Sequence, residues 1–193
     1  CDRLGLRLGV RDRAWFPNVR LRRGGEYGNA VLSRWRITAS ENVDLTIAPK
    51  KRRSVLHVRI RVPVEDQKPG RPRSRTIHLF NTHLGLSGIE RRLQLKKLLS
   101  SPSVSAMGER IPLVIAGDLN DIWGTLGRMV LKPAGFRGSR GPIRTFPAYA
   151  PARPLDGLYV KGDLELVKLM PSRLKLARQA SDHLPLVADV QLR

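Results

Sequence analysis

The chain has 193 residues, of which 41% are apolar, as in globular proteins with room for one sizeable core. Its only cysteine, Cys1, excludes an internal disulfide, and this leaves the compartment open with a lean towards the cytoplasm. No apolar run approaches the ~20 residues that a membrane-spanning helix needs.

The charge balance is the least ordinary property of the composition. Lysine and arginine total 36 against 16 aspartates and glutamates, a formal net charge of +20. A field of that sign favours polyanions as partners: nucleic acid, an anionic membrane surface or phosphorylated small molecules. The alternative is that the charge serves solubility alone, because net charge carries no information about fold.

Hydrophobic patterning in the first half of the chain predicts strands joined by turns. The start reads as the end of a helix, followed by a loop or strand near Trp15 and Phe16. Apolar residues that alternate with basic ones predict a half-buried strand at 54–62, which forms a hairpin with a strand at 75–82. The other predicted segments are a turn at 24–28, a strand at 29–37 and an exposed loop at 64–74.

The second half mixes helices and strands. The run from Ser87 to Glu90 resembles a capping box and predicts a helix with an apolar stripe through Ile89 and Leu93, ended by Pro102. The remaining predicted segments are a strand at 111–116, a helix at 123–131, a loop at 137–154 and strands at 155–160, 164–169 and 184–192. This mixture predicts a layered α/β protein with a partly antiparallel sheet.

The strand at 111–116 delivers polar side chains to the edge of the predicted sheet. Asp118 and Asn120 follow it, and two residues apart on extended chain they point to the same side. Ligands of α/β folds bind at such an edge. The alternative is a turn that caps the next helix, a role that suits Asp121 better than a chemical one.

Ionisable side chains stand where apolar strands meet loops at four places along the chain. The four motifs are Asn81-Thr82-His83, Gly117-Asp118-Leu119-Asn120, Leu155-Asp156-Gly157 and Ser181-Asp182-His183. Such groups are costly unless they meet partners or solvent in a cleft. Two histidines, three aspartates and an asparagine have the chemistry to hydrolyse a phosphate ester, since carboxylate and amide oxygens suit Mg²⁺ and histidine exchanges protons near neutral pH.

In this order and spacing, the four motifs resemble the endonuclease/exonuclease/phosphatase superfamily, the DNase I-like fold. The segment at 27–34 resembles an upstream strand of the same family, so the resemblance covers roughly residues 20–193. It implies a four-layer α/β/β/α sandwich of two mixed, mainly antiparallel sheets, within a single domain over residues 1–193. It also implies Mg²⁺ or Mn²⁺ as cofactor and a phosphodiester or phosphomonoester as substrate.

The resemblance implies a role for each histidine. His183 would be the general base or a phosphate contact, and Asp156 would pair with it and fix its tautomer. His83 would donate a hydrogen bond to a phosphate oxygen and stabilise the charge of the transition state.

It implies roles for the remaining polar residues as well. Asp118 would orient or deprotonate the attacking water, with Asn120 bonded to phosphate or water beside it. Asp182 would ligate the metal, directly or through water.

Two departures from the family pattern stand out. The family has an Asn on its first strand and a metal-binding Glu at the end of its second, and neither is found here. Glu26 sits in a predicted turn, and Glu41 follows a predicted strand rather than ending one. We therefore expect that the chain lacks the family's first two strands, about 50–60 residues, and binds metal weakly. Gly157 stands where many members have a larger or basic residue, which puts substrate contact from that position in doubt.

Three functions remain open at this point. The first is a metal-dependent, nuclease-like phosphodiesterase. The second keeps the fold and takes a phospholipid or an inositol phosphate. The third is a polyanion-binding protein without catalysis. His57 and His78 lie within the predicted hairpin and are expected to pack, and the oligomeric state is not predicted.

Overall fold

The computed structural model describes residues 2–20, 24–64 and 73–193. The strands are β1 (Asp12–Arg20), β2 (Glu26–Ser33), β3 (Arg36–Asp44), β4 (Ser54–Val64), β5 (Arg73–His83), β6 (Leu113–Asp118), β7 (Asp156–Lys161), β8 (Leu164–Pro171) and β9 (Leu186–Leu192). The helices are α1 (Asp2–Arg7), α2 (Gly88–Ser100), α3 (Pro102–Ser105) and α4 (Lys175–Ala180), with a π-helical turn at Gly127–Leu131. The described helices are all too short or too polar to cross a membrane.

A five-stranded sheet in the order β3-β4-β5-β6-β7 organises the molecule. The predicted hairpin is confirmed: β4 and β5 pair antiparallel, with Ile60 opposite Ile77. Only β5 and β6 run parallel in this sheet, and the chain between them crosses over through α2 and α3. The sheet is therefore mixed and mainly antiparallel, as predicted.

Alternating side chains give this sheet two apolar faces. On one face, Leu56, Val58 and Ile60 of β4 pack under the β1–β2 pair, and Val114 and Val160 pack under the β8–β9 pair. The opposite face carries Phe80 and Ile115 and is covered by leucines of α2 and of the π-helical turn. The result is an α/β arrangement with two layers of strands, which confirms the predicted fold class.

The strand predicted at 29–37 is two strands in different sheets. The chain leaves β2 at Ser33, turns at Arg34 and Trp35, and enters the five-stranded sheet at Arg36 as β3. The expectation that Glu41 follows a strand is therefore wrong, because Glu41 lies within β3. The loop predicted at 64–74 falls mostly on residues 65–72, outside the described residues.

Helix α2 begins where predicted but is held differently. Ser87 makes no side-chain cap, and Ile89 and Leu93 of the expected apolar stripe are exposed. Besides Leu95 and Leu98, the buried face carries Glu90, Arg91 and Gln94. These three polar residues face the backbone of the loop that follows β5, which an apolar periodicity does not reveal.

Two buried histidines lie under the helical layer, away from the predicted site. His57 stacks on Phe80 with ring centroids 4.2 Å apart, and its Nε2 is 3.0 Å from Nδ1 of His78. On its other side, Nδ1 of His57 lies 2.7 Å from Oε1 of Glu41, which also accepts a hydrogen bond from Ser103. Both histidines therefore pack within the sheet layer.

We expect His78 to make the stability of the fold depend on pH. Burial, with the charges of His57 and Arg59, lowers the pKa of His78 from 6.5 to about 4. Below pH 6.5 the unfolded chain therefore binds a proton that the folded chain does not, and the free energy of unfolding falls as the pH falls towards 4. Between pH 6 and 5, His78 contributes at most about 1.4 kcal/mol per pH unit to the slope of the free energy of unfolding against pH.

Urea denaturation of the parent protein and of His78→Gln at several pH values measures this slope. The variant should lose stability less steeply between pH 6.5 and 4.5. Glu41 does not confound this window, because its pKa is lowered and its contribution disappears only at lower pH. Equal slopes for the two proteins would contradict the assignment.

Candidate active site

Three neighbouring strands of the five-stranded sheet bring their polar ends together. In the parallel pair His83 lies opposite Asp118, and in the next pair Asp118 lies opposite Asp156. Backbone hydrogen bonds continue past the strand ends. The N–H of Leu84 donates to the carbonyl of Asp118, and the N–H of Leu119 donates to the carbonyl of Leu155. One residue from each of three predicted motifs therefore meets at a single edge of the sheet.

The fourth motif joins through a hydrogen bond. Nδ1 of His183 lies 2.8 Å from Oδ2 of Asp156, and Thr145 donates to the same oxygen at 2.6 Å. The loop that carries His183 is fixed by two backbone bonds, from Ala148 to the carbonyl of Asp182 and from Leu184 to that of Thr145. Because Nδ1 faces the carboxylate, Nε2 is the nitrogen available for proton exchange.

The surroundings of His183 raise the pKa of its imidazole. Burial alone would lower its pKa, but the hydrogen bond and charge of Asp156, with Asp118 and Asp182 nearby, outweigh burial and raise the pKa. The ring also packs against Phe146, with centroids 5.0 Å apart and planes tilted by 51°. This histidine is thus both oriented and made more basic by its surroundings.

His83 has the opposite character. Burial, together with the charges of Arg53 and His183, lowers its pKa to about 4, so the ring is neutral near pH 7. The hydroxyl of Tyr27 is hydrogen bonded to its Nδ1, and its Nε2 lies 3.5 Å from Oδ2 of Asp118. If the tyrosine hydroxyl donates, Nε2 carries the proton and points into the site as a donor.

Asp118 and Asn120 are adjacent but do not lie side by side on extended chain as expected. Asn120 has a left-handed backbone with φ of 50°, and its backbone N–H donates to Oδ1 of Asp118 at 2.8 Å. Its side-chain amide donates instead to the carbonyl of Leu84 and ties the two loops together.

Burial is the main cause that raises the pKa of Asp118, and neighbouring Asp156 adds to it. Asp121 is not the N-cap of the π-helical turn, a position that Leu126 holds without a side-chain cap, but its Oδ2 accepts a hydrogen bond from the backbone N–H of Leu126.

The sequence as a whole matches a known family. The model of the endonuclease/exonuclease/phosphatase family matches residues 2–183. The chain belongs to this family. The uncharacterized protein YbhP of Escherichia coli K12 is 36% identical to it over 175 residues, covering 87% of this chain. The chain spans only 64% of the length of that relative.

Solved structures share the fold of this family member. The endonuclease/exonuclease/phosphatase from Beutenbergia cavernae superposes with a TM-score of 0.74 at 22% identity, over 98% of this chain and 56% of that one. TDP2 of D. rerio, in complex with a single-strand DNA product, gives 0.69 at 16% identity, over 98% and 80% of the two chains. At these identities the likeness shows the fold alone.

The described residues do not form a protein cage for the metal that the family resemblance implies. Within 2–20, 24–64 and 73–193, no three His, Cys, Asp or Glu side chains are grouped to hold an ion. Asp182 is exposed, and Glu41, bound to His57 and Ser103, belongs to another part of the fold. The carboxylates that face the site are Asp118 and Asp156, and the second is already shared by Thr145 and His183.

Three residues near the site were not predicted as functional. Tyr27 comes from β2 and contacts His83, and Thr145 holds Asp156 from a Gly- and Pro-rich loop. Arg53 immediately precedes β4, and its charge reaches both His83 and Asp118. Its Nε is buried without a hydrogen-bond partner among the described residues. Tyr27 lies in the segment that resembles a family strand and Thr145 in a predicted loop, whereas nothing distinguishes Arg53 from its basic neighbours.

Residues at the two ends of this cluster line two different cavities. One, here called the Asp156 cavity, has a volume of about 670 Å³ and is lined by Asp156 and Tyr159 among others. The other, the Tyr27 cavity, has a volume of about 980 Å³ and is lined by Tyr27 and Arg53 among others. The contacts from Tyr27 through His83 and Asp118 to Asp156 connect one cavity to the other.

Proposed function

We propose that this protein is a phosphoric ester hydrolase that cleaves phosphodiesters by attack of water on phosphorus. The observation that carries the proposal is the arrangement at one sheet edge: a His183–Asp156 pair beside Asp118 and a neutral His83. It combines a proton acceptor, an oriented carboxylate and a hydrogen-bond donor at one edge of the sheet.

Each residue has one task in this mechanism. Nε2 of His183 accepts a proton from water while the water oxygen bonds to phosphorus and the ester P–O bond breaks. Asp118 orients that water, with Asn120 fixing the loop, and Asp156 stabilises the imidazolium that forms. His83 donates from Nε2 to a non-bridging phosphate oxygen, and the departing alkoxide takes its proton from solvent.

A diester suits the site better than a monoester. Residues at both ends of the cluster line cavities, Asp156 in one and Tyr27 in the other, and we infer from this that there is room for two ester substituents. A monoester would leave one of these spaces empty. Arg53 reaches the cluster from the Tyr27 cavity and would balance the charge of the phosphate.

The divalent cation, Mg²⁺ or Mn²⁺, remains a prediction from the family resemblance. When bound, such an ion would supply charge neutralisation at the phosphoryl oxygens. No step above is assigned to it, because the described carboxylates do not form its cage.

The test compares hydrolysis of bis(p-nitrophenyl) phosphate with that of p-nitrophenyl phosphate, each with Mg²⁺ and with EDTA. We expect kcat/KM to be at least about tenfold higher for the diester, and a loss of activity in EDTA would support the cation that the family resemblance predicts. Asp118→Asn serves as the inactive control. A faster monoester, or equal rates for Asp118→Asn and the parent, would contradict the proposal. Cleavage confined to phospholipid vesicles would favour the lipid alternative.

A further inference from the structure

Four buried polar side chains beside the candidate active site have no task in the mechanism above. Glu90, Arg91 and Gln94 lie on the buried face of α2, and Asp121 lies in the loop after β6. Gln94 is completely buried, and the other three are less than a tenth exposed. Burial of charged groups costs free energy unless other groups bond to them or balance their charge. The partners of these side chains therefore indicate what they hold in place.

Gln94 uses both ends of its amide group. Its Oε1 accepts a hydrogen bond from the backbone N–H of Gly85 at 2.8 Å, and its Nε2 donates to Oε1 of Glu90 at 3.1 Å. Gly85 stands two residues after His83. A Cβ added at Gly85 would overlap the carboxyl group of Glu90, so the backbone of this loop lies directly against the helix.

Arg91 links the same loop to the one that follows β6. Its Nη1 donates to the carbonyl of Leu86 and, at 3.5 Å, to that of Gly85. Burial lowers the pKa of Arg91, while the charges of Asp121 and Asp118 act in the opposite direction. Because solvent and salt screen buried charges only weakly, these attractions hold the guanidinium between the two loops.

The loops that contact α2 are the loops that carry the candidate active site. The N–H of Leu84 donates to the carbonyl of Asp118, and the side chain of Asn120 donates to the carbonyl of Leu84. Beyond Leu84 apolar packing contributes little, since Leu86 is 72% exposed. Hydrogen bonds with α2 therefore fix the loop after β5 on its other side.

We propose that Gln94 and Arg91 are positioning residues, which act through this loop to hold His83 and Asp118 at the separation that hydrolysis requires. The inference rests on the proposed function and adds to it two residues outside the cluster. Nε2 of His83 lies 3.5 Å from Oδ2 of Asp118. A displacement of about 1 Å at such a pair costs about 10²-fold in rate. A purely structural role would instead lower stability and leave kcat of the folded protein unchanged.

The test measures kcat and KM for bis(p-nitrophenyl) phosphate in Gln94→Met and Arg91→Met, at a temperature where circular dichroism shows each variant to be folded. Gln94→Met keeps the length of the side chain, and both substitutions remove hydrogen bonds to the loop. Val58→Ala is the control for stability, because it removes core packing on the opposite face of the sheet. Arg92→Met is the control for charge, since Arg92 is the exposed neighbour of Arg91.

We expect kcat to fall about 10- to 100-fold in Gln94→Met and Arg91→Met, with KM changed by less than about threefold. Val58→Ala should lower the midpoint of urea denaturation and Arg92→Met should not, and both should keep kcat within about twofold of the parent. A kcat close to that of the parent in either positioning variant, or an equal loss in Val58→Ala, would overturn the proposal. If Arg91→Met does not fold, Gln94→Met decides alone.

Hydrogen exchange of the Gly85 amide, followed by NMR, tests the contact without turnover. Exchange should be at least about tenfold faster in Gln94→Met than in the parent and unchanged in Arg92→Met. An inactive parent would defeat the proposed function. The exchange rates would then decide alone, and equal rates in Gln94→Met and the parent would show that Gln94 does not hold the loop.

Discussion

Replacing Asp156 by asparagine should lower kcat for phosphodiester hydrolysis by about 10³-fold, with a smaller change in KM. The carboxylate holds Nδ1 of His183 at 2.8 Å and raises the pKa of that ring. An amide in its place can stabilise the wrong tautomer and cannot stabilise the imidazolium, so the proton of the attacking water has no acceptor. His183→Gln should lose activity to a similar extent, because general base catalysis typically contributes 10²–10⁴-fold.

Thr145→Val provides the matched control for this prediction. It removes a 2.6 Å hydrogen bond to the same carboxylate oxygen but leaves the charge and the histidine in place. We expect a loss of about tenfold to a hundredfold, which is the scale of one hydrogen bond to a charged group and smaller than the loss in Asp156→Asn. The assignment would fail if Asp156→Asn retained activity comparable with that of Thr145→Val, both being folded by circular dichroism.

Gly117→Ala should destabilise the protein by about 4 kcal/mol, from backbone strain and overpacking together. Gly117 has φ of 135°, a conformation that residues with a Cβ rarely adopt, and an added Cβ would overlap the backbone carbonyl of Thr82 on the neighbouring strand. The parallel pair would have to separate one residue before Asp118, so catalysis should be lost together with stability. The measurement is the free energy of unfolding in urea.

Gly108→Ala is the control for this change. Its added Cβ would come no closer than 3.8 Å to a side-chain atom of Ile111, which is ordinary contact. Its free energy of unfolding should stay within about 0.5 kcal/mol of the parent. If Gly117→Ala proved as stable as Gly108→Ala, the close approach of the two strands would not be required.

The site could be predicted from sequence to the extent that it depends on strand ends. His83, Asp118 and Asp156 each follow or begin an apolar run, and pairing of adjacent strands places them opposite one another. The likeness to known family motifs, and not periodicity, indicated that these residues belong to one site. These three residues were therefore predictable together, before any contact was known.

Contacts made across the fold could not be predicted in the same way. Tyr27 contacts His83 because the β1–β2 pair packs on the face of the five-stranded sheet. No pattern in the sequence around Tyr27 predicts this packing. The chain at Arg34 and Trp35 changes sheets without a proline or glycine, so the 29–37 run read as one strand. Asn120 lies beyond the end of β6 in a left-handed conformation, and its amide donates to the carbonyl of Leu84.

The buried polar face of α2 couples this helix to the loop that follows β5, so the two should be inherited together. Gln94 accepts a hydrogen bond from the backbone of Gly85, and Arg91 donates to the carbonyl of Leu86, so the loop after His83 is shaped by side chains of the helix. A chimera between relatives that takes its helix from one parent and its histidine loop from the other would combine halves that never evolved together. Crossover points for recombination within this family are better placed before β5 and after α3, so that the whole block is inherited from one parent.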